Sequence, residues 1–227
     1  MILKFVTLII ITLSTNAKAN IIDRTTFNQG QITPPMLFAE EGAPKKFNPN
    51  NNLARKVGSY YFAKGEPLII EGIVTDINDI PMEGVKINIW QANAGGYYQS
   101  KITDEQDPNF DLNFTETGTY ITDTLGRFMF LTTMPGKIQT KDIFHCPHIN
   151  FLLSKNEQIL LNTMLFFAPI SSYNCDNNKD LYQFKLSKLK RKQVEQDLYY
   201  IDSRDQALGK RVLFDIKLNY IQQTKEF

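Results

Sequence analysis

The chain has 227 residues, 42% of them apolar, with 25 basic and 24 acidic side chains and a net charge of +1. That length supports one sizeable core or at most two small ones. Interspersed charges and plentiful aromatics exclude intrinsic disorder, and the balanced charge gives no electrostatic footprint for nucleic acid as a partner.

The first element is a leader. Met1 to Lys4 supply a short positive start, Phe5 to Leu13 an apolar run, and Ala17-Lys18-Ala19 a small-x-small end. This is the pattern of a secretory signal peptide, residues 1–19, cleaved before Asn20. A spanning helix needs about 20 apolar residues, and this run is too short, so the expected location is exported, periplasmic or secreted. No other run is long and apolar enough to span, so no membrane partner is expected once the leader is removed. Export bears on the two cysteines, Cys146 and Cys175. In an oxidising compartment an even pair favours a disulfide. The loop of about 30 residues would contribute about 3 kcal/mol. Two buried thiols are the alternative.

Residues 20–64 show little periodicity and read as an N-terminal arm, with "NQGQITPPM" and "NPNNNL" rich in Pro, Asn and Gly. From 65 to 227 the pattern is that of a domain. Leu68–Thr75 reads as a strand closed by the turn formers of "DINDIPMEG". Val85–Trp90 alternates, with Val85, Ile87 and Ile89 on one face and Lys86, Asn88 and Trp90 on the other, a half-buried strand. Tyr120–Thr122, "DTLG" and Arg127–Thr132 read as a hairpin with a four-residue connection. His148–Ser154 and Thr163–Ala168 are two further strands expected to pair, and Val212–Leu218 is a last one. Between them, residues 180–200 carry Leu186, Leu189, Val194 and Leu198 at loose helical spacing, a short surface helix. Its basic run Lys188–Lys192 is followed by Glu195 and Asp197, as on a solvated face. The expected fold is all-β: a sandwich of mostly antiparallel strands with an irregular arm and one short C-terminal helix.

The chemistry concentrates in "FHCPHINFLL" (144–153). His148 and Asn150 sit at i and i+2 of a strand, so both side chains leave the same face. A His-x-His strand presents two imidazoles to one metal, and here the second place holds asparagine. His145 and Cys146 crowd the same stretch, a set that could also take zinc or copper. Cys146 cannot serve such a site and a disulfide at once.

Two longer stretches, "IEGIVTD…PMEGVKINIWQANAGGYYQS" and "DPNF…TDTLGRFMFLTTMPG…HINF", resemble the intradiol ring-cleaving dioxygenases, closest to the protocatechuate 3,4-dioxygenase beta type and its secreted relatives. The resemblance runs from "QITPP" to "FDIKL", nearly the whole chain after the leader. It implies a non-haem Fe(III) cofactor held by two tyrosines and a His-x-His strand, acting with O2 on small catechol-type diols. Carried over, the first tyrosine falls on Tyr98, with Tyr97 beside it, and the first histidine on His148. The second tyrosine falls on Ile138, the second histidine on Asn150, and the family's arginine on His145. Two of the four ligand positions therefore depart, with Asn150 a weak substitute ligand and His145 at the place of the catalytic arginine. Tyr97 or Tyr120 as a second phenolate, and His145 as a second imidazole, are the replacements within the sequence. The resemblance predicts an exported dioxygenase homologue with impaired iron ligation. A non-catalytic binding or structural module on the same fold, a pseudoenzyme, is the alternative.

Overall fold

A computed structural model describes residues 31–36, 44–139, 144–168 and 188–221. The expected leader at 1–19 and Cys175 lie outside the described residues. In chain order the strands are β1 (Pro67–Thr75), β2 (Lys86–Trp90), β3 (Thr117–Ile121), β4 (Arg127–Thr133), β5 (Ile138–Gln139), β6 (Phe144–His145), β7 (His148–Lys155) and β8 (Gln158–Ala168). Helix α1 (Lys188–Val194) follows, then β9 (Glu195–Asp202), β10 (Asp205–Leu213) and β11 (Ile216–Lys217).

Two layers form because β9 serves both. Its start, Glu195–Asp197, runs parallel to Phe166–Ala168 of β8, and Leu198–Tyr200 then pairs antiparallel with Lys210–Val212 of β10. One layer is β4-β1-β10-β9, and the other is β3-β2-β7-β8-β9. Alternation on each strand sends every second side chain inward. Ile87 and Ile89 of β2, Ile149, Phe151 and Leu153 of β7, and Ile70 and Val74 of β1 are wholly buried there. Phe151 meets Phe214 with ring centroids 5.1 Å apart and Phe128 at 6.2 Å, which ties the layers face to face. Each such buried aromatic contributes about 1.5–3 kcal/mol by leaving water.

The arm closes the sandwich at its side. Leu131 N–H of β4 donates to Asn51 O at 2.9 Å, Thr119 N–H of β3 donates to Asn50 O at 3.0 Å, and Leu53 inserts fully into the core. A β-carbon on Gly118 would stand 2.5 Å from the Leu53 side chain, so that glycine makes the room. Upstream, Met36 N–H donates to Asn162 O at 2.8 Å, which lays residues 31–36 over the outside of the second layer.

Most expected strands are present, with four corrections. "DTLG" is a turn, with Gly126 N–H donating to Asp123 O at 2.9 Å, but it does not make a hairpin. β3 pairs with β2 and β4 with β1, so the turn carries the chain from one layer to the other. The expected last strand is divided into β10 and β11 at Phe214–Asp215 with its register to β1 kept, and there Asp215 Oδ1 takes the place of a ladder carbonyl and accepts from Ile73 N–H at 2.9 Å. Gly72 is required opposite it, since a β-carbon would lie 2.1 Å from Phe214 O. The helical reading of 180–200 holds, among the described residues, only for α1, because β9 follows at once. Lastly, β2 is buried on both faces: Asn88 and Trp90 lie under cover as well.

Candidate active site

The outer face of the β2-β7-β8 layer carries the site. His148, Asn150 and Trp90 point there, away from the main core, and a second apolar cluster covers the region: Met36, Trp90, Cys146, Met164, Phe166 and Val194. Tyr98 packs at its margin, half-buried, while Tyr97 is 44% exposed. His148 and Asn150 are both buried, at 4% and 2% exposure.

The loop after β2 is built by Asn93. Its side-chain oxygen accepts from Gly95 N–H at 2.9 Å and Tyr97 N–H at 3.1 Å, and its amide donates to Asn109 O at 2.8 Å. Gly96 has φ +87°, and a β-carbon there would stand 2.1 Å from Lys137 O. This close approach seats the tyrosine loop against the segment leading to Ile138. Just past Tyr98, buried Glu116 receives both Ser100 N–H and Ser100 Oγ–H at 2.7 Å. That pair fixes the single 3-10 turn Gln99–Lys101 that follows the tyrosine. Glu116 adopts φ +62°, a conformation a glutamate keeps only when its contacts hold it.

The predicted residues do come together. Ile138 of β5 lies opposite His145 of β6 in register. The His145 and His148 rings stand perpendicular with centroids 6.0 Å apart. Between them Cys146 is buried and disulfide-bonded. His148 Nδ1 lies 2.7 Å from Cys146 O. A carbonyl only accepts, so Nδ1 carries the hydrogen and, in the neutral ring, Nε2 carries the lone pair. Phe166 on β8 meets His148 with ring centroids 5.8 Å apart and planes tilted by 45°.

Asn150 is the junction. Its Nδ2 lies 3.1 Å from Trp90 O and 3.2 Å from the Tyr98 hydroxyl. The Trp90 carbonyl must face a donor, so this orientation of the amide is fixed by the strand partner. Its second hydrogen then points at the phenol oxygen. Sequence reading found Tyr98, His148, Asn150, Ile138 and His145, and missed Asn93, Glu116, Trp90 and Phe166. The "NAGG" run carried a signal for Asn93, an asparagine two residues before the N–H it binds. Nothing local marks Glu116.

Residues 45–219 match the family model Dioxygenase_C, described as a dioxygenase. The chain belongs to the intradiol dioxygenase family. The protocatechuate 3,4-dioxygenase beta chain of Burkholderia cepacia is 40% identical over 72 residues, 32% of this chain and 30% of that one. A Rickettsia bellii protein provisionally named a dioxygenase is 36% identical over 104 residues, 41% of this chain. The alignment spans about half of that relative, 48%. An intradiol ring-cleavage dioxygenase from Tetranychus urticae superposes with a TM-score of 0.63 at 17% identity, covering 86% of this chain and 98% of that one. At such identity the superposition establishes the fold, and the donor set decides what an intradiol dioxygenase site can do here.

Proposed function

We propose that this protein is an exported intradiol dioxygenase homologue whose ferric chemistry is impaired. The observation that carries the reading is the Asn150 amide donating to the Tyr98 hydroxyl. In the family, non-haem Fe(III) effects the ring cleavage of catechol-type diols. A ferric ion in a covered pocket needs anionic oxygen donors to balance its charge. Here Ile138 offers no donor, and Asn150 turns an N–H toward the centre rather than an oxygen or an imidazole lone pair. The Asn150 side chain is thereby engaged with Tyr98 at the position from which the family's second imidazole would ligate. The residues present do not fit the family's ferric centre.

The second reading, a non-catalytic binding or structural module, is favoured by the same bond. Asn150 with Tyr98, and His148 with the Cys146 carbonyl, are bonded to one another, contacts that stabilise a fold without a metal. Metal analysis of the purified protein, with its visible spectrum and an assay of catechol and protocatechuate cleavage, tests both. The expected outcome is substoichiometric iron, no tyrosinate-to-iron colour and no ring cleavage. Stoichiometric iron with colour and turnover would overturn the proposal and require Tyr97 or His145 as a replacement ligand, since Tyr120 packs on the opposite face of the sheet against the main core and Phe130.

A further inference from the structure

On the arm, residues 54–65 read "ARKVGSYYFAKG", three cations and no carboxylate. The side chains are turned outward: Tyr60 is 95% exposed, Tyr61 76%, Val57 74% and Phe62 64%. Four consecutive or near-consecutive apolar groups left in water form a patch that soluble surfaces rarely keep without use. Leu112, 58% exposed, belongs to the neighbouring segment that pins the loop.

The loop is held rather than loose. Ala63 N–H donates to Ala54 O at 2.7 Å and closes its neck. Lys56 N–H donates to Asn113 O at 2.9 Å, and Ser59 Oγ bonds Asn113 Oδ1 at 2.8 Å and receives Tyr61 N–H at 3.0 Å. Gly58, at φ +84°, makes the turn between them. Asp111, whose carboxylate accepts from Lys64 N–H at 2.6 Å, is buried and shows little charge to an approaching surface. Arg55 lies over the Phe62 ring at 5.5 Å, so one cation is already stacked into the aromatic tip.

We propose that this loop docks the protein on an anionic lipid surface, with Tyr60, Tyr61 and Phe62 entering the headgroup region and Arg55, Lys56 and Lys64 meeting the lipid charges. Amphipathic aromatics prefer the membrane–water boundary, and cations beside them add attraction to acidic lipids. Charge complementarity selects this occupant over a second copy of the chain, whose corresponding tip would present the same three cations. The loop would bind at the surface of the bilayer, and no helix among the described residues is long and apolar enough to cross one. The ordered loop has little conformational freedom left to lose on binding.

The test is co-sedimentation of the purified protein with vesicles of equimolar phosphatidylglycerol and phosphatidylcholine, against phosphatidylcholine alone. Binding is expected on the anionic vesicles, weakening as salt is raised. Lys56→Gln should lower the partition coefficient about fivefold, and Tyr60→Ser with Tyr61→Ser about tenfold. Both variants should melt as the parent does, because these side chains stand in solvent. The inference is overturned by absence of binding, by equal binding to both vesicle types, or by variants that bind as well as the parent. Self-association abolished by the tyrosine substitutions would equally overturn it and assign the tip to a second copy.

Discussion

Asn150 decides the chemistry by orientation as much as by identity. The Trp90 carbonyl, its register partner across the β2–β7 ladder, claims one amide hydrogen, and the other is thereby aimed at Tyr98. Replacing the amide with imidazole removes both bonds and installs a second nitrogen ligand beside His148, while Ile138→Tyr installs an anionic oxygen opposite His145. Ile138→Tyr with Asn150→His should therefore recover iron binding and the tyrosinate colour, with Tyr98 and His148 supplying the other half. Neither substitution alone should suffice: the first leaves an N–H facing the metal, and the second leaves the charge uncompensated. The double variant should lose about 1–3 kcal/mol of metal-free stability from the broken hydrogen bonds. Titration with ferric iron followed by absorbance checks the colour, and an iron-free double variant would count against the charge argument. His145→Arg is the further step toward ring cleavage, since His145 occupies the arginine position.

Strands whose neighbours are decided by their own alternation could be read from the chain. β1, β2, β7 and β8 each place β-branched or aromatic residues on one face, and each appears within a few residues of its expected bounds. β9 could not be read. "EQDLYYID" starts with good helix formers and has no alternation, and it becomes a strand because β8 and β10 both offer it a free edge. The turn at "DTLG" was legible, but whether its flanks pair with each other depends on partners far along the chain. The candidate site divides in the same way: motif spacing located its residues, while the Asn150–Tyr98 bond, spanning 52 positions, has no local signature. The arm shows what one residue without periodicity contributes. Leu53, fully buried beneath the edges of β3 and β4, is joined to the latter by Leu53 N–H donating to Leu131 O at 2.7 Å. Leu53→Ala should cost about 2–5 kcal/mol, read as a shifted denaturant midpoint with an unchanged slope. A cost below about 0.5 kcal/mol, ordinary for surface substitutions, would mean that the arm does not seal the core.

For the molecule as a whole, the disulfide at Cys146 ties the site to the redox state of its surroundings. Cys146 is bonded, and the sequence has only one other cysteine, Cys175, outside the described residues. Cys146 sits between His145 and His148, and its own carbonyl fixes the His148 tautomer, so its tether is also a tether on the site. Joined to Cys175, it closes a loop of about 30 residues, which restrains the unfolded chain by about 3 kcal/mol. For a domain of this size that corresponds to a melting temperature lower by about 6–12 °C on reduction. Peptide mapping without reductant should recover the Cys146–Cys175 pair. Hydrogen exchange on the reduced protein should quicken first at residues 145–150, before the central strand β1, which does not depend on the tether. Two alkylatable thiols in the oxidised protein, or a melting temperature indifferent to reductant, would refute the pairing. They would also count against the oxidising compartment that the expected leader at 1–19 implies.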